Sequence, residues 1–138
     1  MDISSMLAGV NWLAVLVSTA AAFALGGLWY SRALFGAAWM QEIGLDEHAL
    51  DVSNMRLVFA GTFGLQFVAA TGLAMFLGPH GHWLRGMLTG LLVALLWIAT
   101  SFGINYLFEQ RSLRLYMINA GYNVLTFALM GAILGSWP

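Results

Sequence analysis

Apolar residues do not alternate with polar ones along this chain; they run on. Four stretches, about residues 6–30, 57–77, 86–108 and 115–135, contain no internal charge. Crossing a hydrocarbon layer of about 30 Å takes about 20 apolar residues at a rise of about 1.5 Å each, so each stretch predicts a transmembrane α-helix. Gly78-Pro79-His80-Gly81 and Glu109-Gln110-Arg111-Ser112 interrupt the apolar pattern with turn-forming and charged residues, which makes hairpins of helices two and three and of helices three and four. The connection between helices one and two is longer. It contains an apolar segment, about residues 33–43, too short to cross, which reads as a helix lying in the interface. The predicted fold class is all-α integral membrane. One domain spans residues 1–138, a four-transmembrane-helix antiparallel bundle with a short interfacial helix after helix 1.

Composition supports the membrane reading. With 61% hydrophobic and 8% charged residues, the chain has too few polar side chains to cover a water-facing surface. Five arginines, no lysine and six acids leave a net charge of -1, which excludes the basic footprint that nucleic-acid binding requires. The absence of cysteine excludes disulfides and thiolate metal sites. Arg32, Arg56, Arg111 and Arg114 fall on one side of the predicted bundle and Arg85 alone on the other. The positive-inside rule therefore places the four in the cytoplasm and both termini outside it. The N-terminus has no basic residue ahead of its apolar run, so a cleaved signal peptide is not expected.

In lipid the hydrophobic effect does not hold helices together, so close backbone approach and hydrogen bonds between helices must do so. Small residues recur at four-residue steps in each span: Ser18, Ala22 and Gly26; Ala60 and Gly64; Gly86, Gly90 and Ala94; Gly131 and Gly135. They predict tight packing within the chain and make a homo-oligomer an expectation.

Polar residues within the spans are the candidate functional groups, because each is costly in hydrocarbon without a partner. Trp97, Ser101, Asn105 and Glu109 share one helical face, as do Tyr116, Asn119, Asn123 and Thr126; Thr62 and Gln66 share another. On the predicted topology Gln66, Ser101, Asn105, Asn119 and Asn123 meet in the cytoplasmic half, with Trp97 beside them and Glu109 at the mouth. One reading is a pocket for water or a small polar solute. The other is a set of bonds across helices, each about 0.6 to 2 kcal/mol, that fix the packing. Glu109, next to Arg111 and Arg114, reads also as a surface ion pair or helix-end charge. His80 and His82 supply at most two ligands with no acid nearby, so no metal is assigned. Trp12, Trp29, Tyr30, Trp39, Trp83 and Trp137 sit at span ends, where amphipathic rings anchor in the headgroup zone. No nucleophile with a base, no paired carboxylates and no phosphate-cradling loop can be assembled, so no catalytic residue and no cofactor is assigned and an enzyme is not expected.

The string Gly26-Gly-Leu-Trp-Tyr-Ser-Arg-Ala-Leu-Phe-Gly-Ala-Ala-Trp-Met40 resembles the signature of a bacterial membrane family, Domain of Unknown Function seventeen sixty-one. Asn11-Trp12, Asn119-Ala120-Gly121-Tyr122 and Gly135-Ser136-Trp137 are similar to the same pattern, so the likeness covers most of the chain. It implies a four-helix protein of the bacterial inner membrane and carries over no activity. It draws notice to Trp29, Tyr30, Ser31, Phe35, Gly36 and Trp39 as a structural elbow at the exit of helix one. The functional expectation is a subunit that transports or conducts a small solute or ion through the polar layer. The alternative is a structural or interaction module partnering membrane proteins or lipid.

Overall fold

Asp2 opens the first helix: its carboxylate accepts a hydrogen bond from the Ser5 amide at 2.7 Å, the short-range capping that a helix N-terminus requires. The structure, a computed structural model, describes residues 2–44, 52–79 and 81–137; Asp46, Glu47, Asp51 and His80 lie outside the described residues. Helix α1 (Ile3–Ala8) is short and is followed by α2 (Trp12–Trp29), so the first apolar run is two helices rather than one from residue 6. The break has a local cause. Asn11 caps α2 by accepting from the Ala14 amide at 3.1 Å, and a side chain that bonds its own downstream backbone begins a helix more readily than it continues one.

The chain then forms α3 (Gly36–Ile43), α4 (Val52–Leu77), α5 (Trp83–Val93), a π-helical turn (Ala94–Ile98), α6 (Ala99–Phe108) and α7 (Leu113–Ser136). Ser112 caps α7 by accepting from Leu115 N at 3.0 Å. Four helical segments, Trp12–Trp29, Met55–Leu77, Trp83–Phe108 and Leu113–Ser136, are long and apolar enough to cross a membrane, and the described residues contain no strand. The expected all-α, four-helix fold class is borne out.

Helix α7 is the centre of the packing, in contact with α2, α4, α5 and α6. Glycine sets the closest of these contacts. A Cβ on Gly86 would lie 2.0 Å from the Gly131 carbonyl oxygen and one on Gly131 would lie 2.0 Å from that of Gly86, while Gly90 meets the Phe127 carbonyl in the same way. Backbones so near leave no room for any side chain at these three positions. On the other side of α7, Ala14, Val15, Ala22, Ala70, Leu73, Met130 and Leu134 form an apolar core with α2 and α4. Most of the remaining apolar surface points outward; Leu65 of α4 is 74% exposed and Phe108 of α6 87%. A surface of this kind is matched to hydrocarbon and not to water.

The antiparallel order brings the C-terminal ends of α2 and α6 beside the N-terminal ends of α4 and α7, so Arg32, Arg56, Arg111 and Arg114 share one end. Helix α3 is tied to that end. Glu42 accepts a hydrogen bond from the Ser112 hydroxyl at 2.6 Å and pairs with Arg114 at 3.6 Å. At the opposite end Asn11 donates its amide to the Trp137 carbonyl at 3.1 Å and joins the start of α2 to the end of α7.

Candidate functional site

The helices that glycine holds together at one end are kept apart by tyrosine at the other. Past the π turn, Tyr116 of α7 fills the space beside Gly103 and donates its hydroxyl to the Ala99 carbonyl at 3.0 Å. Tyr106 packs edge-on against Tyr116, with ring centroids 6.1 Å apart, and stacks on Phe102 at 5.9 Å. A polar network occupies this wider, arginine-bearing half.

Asn119 is its hub. Its side-chain oxygen accepts from the Tyr30 hydroxyl at 2.7 Å and its amide donates to the Tyr106 hydroxyl, also at 2.7 Å, so one residue of α7 ties the end of α2 to α6. Asn123 donates to the Asn119 carbonyl one turn back on its own helix, at 2.9 Å. A second branch begins where Tyr30 meets Tyr122, ring centroids 5.4 Å apart. Tyr122 donates its hydroxyl to the Ala22 carbonyl at 2.9 Å and accepts the Gln66 amide at 2.5 Å, which ties α7 to α2 and α4. Among the candidate residues, then, Gln66, Asn119 and Asn123 are drawn into the interior.

Trp97, Ser101, Asn105 and Glu109 are not. All four are exposed on the outer surface of the π turn and α6. Ser101 returns its hydroxyl to the Trp97 carbonyl at 2.5 Å, and Glu109 pairs with Arg111 at 3.5 Å where α6 ends. The π turn explains the difference. At 3.6 residues per turn, a face that begins Gly86, Gly90, Ala94 continues through Trp97 and Ser101. A π turn carries an extra residue, so the buried small residues step from Ala94 to Ala99 and on to Gly103, and the tryptophan and serine swing outward.

Three contributors escaped sequence reasoning: Tyr30, Tyr106 and Tyr122. A tyrosine near a span end reads first as an anchor, and only the neighbouring amides of Asn119 and Gln66 hinted that phenols would be needed as partners. The elbow residues are closer to this network than a surface role implies. Trp29 donates its indole N–H to the Ile118 carbonyl at 2.9 Å and packs on Phe35 at 4.5 Å; Tyr30 meets Trp39 edge-on at 5.3 Å. Ser31 bonds the Leu28 carbonyl at 2.6 Å, and the Gly36 amide donates to the Ser31 carbonyl at 2.8 Å. A Cβ on Gly36 would lie 2.4 Å from the Tyr30 carbonyl oxygen, so the reversal of the chain into α3 depends on glycine there.

This conjunction of elbow and α7, Trp29 to Ile118 and Tyr30 to Asn119, joins the segments that carried the family resemblance. Residues 13–135 match the family described as Protein of unknown function (DUF1761). The chain belongs to this family. The resemblance read from the sequence is thereby borne out over most of the chain. No curated protein and no solved structure matches it. Among the described residues no three of His, Asp or Glu gather as metal ligands would.

Proposed function

We propose that this chain is a multi-pass protein of the bacterial inner membrane, its arginine-bearing end in the cytoplasm and both termini outside. In this reading it serves as a structural or interaction module and not as an enzyme or a conduit. One observation carries the choice between module and conduit: the amides of the polar layer are engaged within the chain. Both halves of the Asn119 side chain are bonded, to Tyr30 and to Tyr106; Asn123 bonds its own helix and Gln66 bonds Tyr122. A solute would have to compete with these partners, and each exchange would leave a polar group unpaired in an apolar surround. The residues needed to complete a pocket, Trp97, Ser101 and Asn105, face away from it.

The arrangement is suited to holding shape. Asn119 and Tyr122, less than one turn apart on α7, bind three other helices, and a rigid bundle can present the outward faces of α4 and α6 to lipid, to another membrane protein or to a second copy. The test is osmotic. The purified full chain, reconstituted in liposomes, is challenged with glycerol, urea and sodium or potassium chloride and its shrinkage and re-swelling followed by light scattering. Permeability equal to that of protein-free vesicles is expected. A solute flux that the Gln66→Leu variant abolishes would overturn the proposal in favour of transport.

A further inference from the structure

Three polar atoms in the core have no partner within the chain: Ser18 Oγ, Thr126 Oγ1 and Gln66 Oε1. Ser18 is fully buried and Thr126 is 3% exposed. Hydroxyls elsewhere in the spans solve this problem locally. Thr19, Thr71 and Thr100 each return theirs to the carbonyl one turn back, at 2.8 Å. Ser18 and Thr126 do not.

The direction of the Gln66 amide follows from the phenol beside it. Tyr122 has one proton and gives it to the Ala22 carbonyl, so its oxygen can only accept from Gln66. The NH2 therefore faces Tyr122, and Oε1 is left buried without a donor. The three atoms belong to one level of the bundle. Tyr30 with Asn119 and Asn11 with Trp137 fix the antiparallel register of α2 and α7, and in that register Ala22 lies level with Thr126. Ser18 lies one turn, about 5.4 Å, further along α2. Gln66 reaches the same level, because its amide ends on the hydroxyl bonded to Ala22.

We infer that Ser18, Thr126 and Gln66 hold an internal water molecule near mid-span. The chemistry selects a neutral ligand. A buried water takes two to four polar partners. Here one carbonyl oxygen accepts from it, and two hydroxyls can each donate or accept. A cation would face uncharged oxygens only, since α2 and α7 place no carboxylate within their apolar runs and α4 carries none from Val52 to Leu77. An uncompensated charge at that depth is disfavoured. The inference stands apart from the functional reading, because a hydrated core fits a rigid module and a transporter alike.

The experiment is a water-selective nuclear Overhauser measurement on the full chain. Alanine methyls are labelled in an otherwise deuterated protein, in nanodiscs of deuterated lipid. The Ala22 methyl carries no exchangeable proton and is expected to show a water cross-peak, which the equally buried Ala14 methyl lacks. The peak is expected to be lost when Ser18→Ala and Thr126→Val are combined, and weakened by Ser18→Ala alone. Absence of a water peak at Ala22 in the unaltered chain overturns the inference without any variant needing to fold. Persistence of an undiminished peak in a folded double or single variant overturns it too.

Discussion

Replacing Gly90 by alanine tests how α5 and α7 are held together. The new Cβ would lie 2.0 Å from the Phe127 carbonyl oxygen and 2.7 Å from its carbon, both backbone atoms that cannot turn aside. Contacts below 3.0 Å essentially do not occur, so the two helices must separate by about 1 Å or bend. A gap of about 0.5 to 1 Å forfeits roughly a quarter to a half of each dispersion contact across it, and insertions of this kind cost about 1–3 kcal/mol. Alanine also favours helix over glycine by about 1 kcal/mol in water, which works in the other direction. Gly64→Ala supplies the reference, because a Cβ there meets nothing within 4 Å and gains the propensity alone. The difference between the two variants isolates the packing term. Titration with SDS in mixed micelles, followed by far-ultraviolet circular dichroism, should find Gly90→Ala less stable than Gly64→Ala by about 1–3 kcal/mol. Equal stabilities would refute the account of α5–α7 packing by backbone contact.

Two further expectations concern the polar network and the elbow. Tyr122→Phe removes the hydroxyl between Gln66 and Ala22 and should lower stability in the same titration by about 1 kcal/mol, with part of the loss recovered when Gln66→Met is added; an unchanged midpoint would show that the bond contributes nothing. Gly36→Ala forces a Cβ to 2.4 Å from the Tyr30 carbonyl and should release α3 from the bundle. Hydrogen exchange should then quicken for the amides of Ala38 to Ile43 while those of α7 stay protected, and undisturbed α3 amides would refute the steric argument.

The fold was legible because lipid-facing helices announce themselves by length and by absence of charge, and both are properties of the chain taken locally. The glycine steps Gly86, Gly90 and Gly131, Gly135 were legible too, since only small residues permit backbones to touch. The polar layer was half legible. Asn119, Asn123 and Gln66 could be placed by counting turns, because α4 and α7 are regular throughout. Trp97, Ser101 and Asn105 could not, because the counting passed through Ala94–Ile98 and nothing in Ala-Leu-Leu-Trp-Ile signals a change of pitch. The division of the first span at Asn11 carried a signal, a capping residue beside glycine, that the unbroken hydropathy obscured. The clasp of Glu42 on Ser112 and Arg114 had none, because it depends on where the chain returns after α3.

The π turn also determines what a change of length would do. In a connecting loop an added or lost residue is absorbed as slack. Between Ala94 and Ile98 a single deletion would leave a smooth helix of nearly the same reach, its hydropathy untouched, yet rotated by about 100° beyond that point. It would behave as a frameshift in orientation: each later residue of α6 would keep its depth and exchange its outlook, Tyr106 leaving Asn119 and Trp97 turning toward α7. The residue count of this span is therefore constrained more tightly than the identity of the side chains within it.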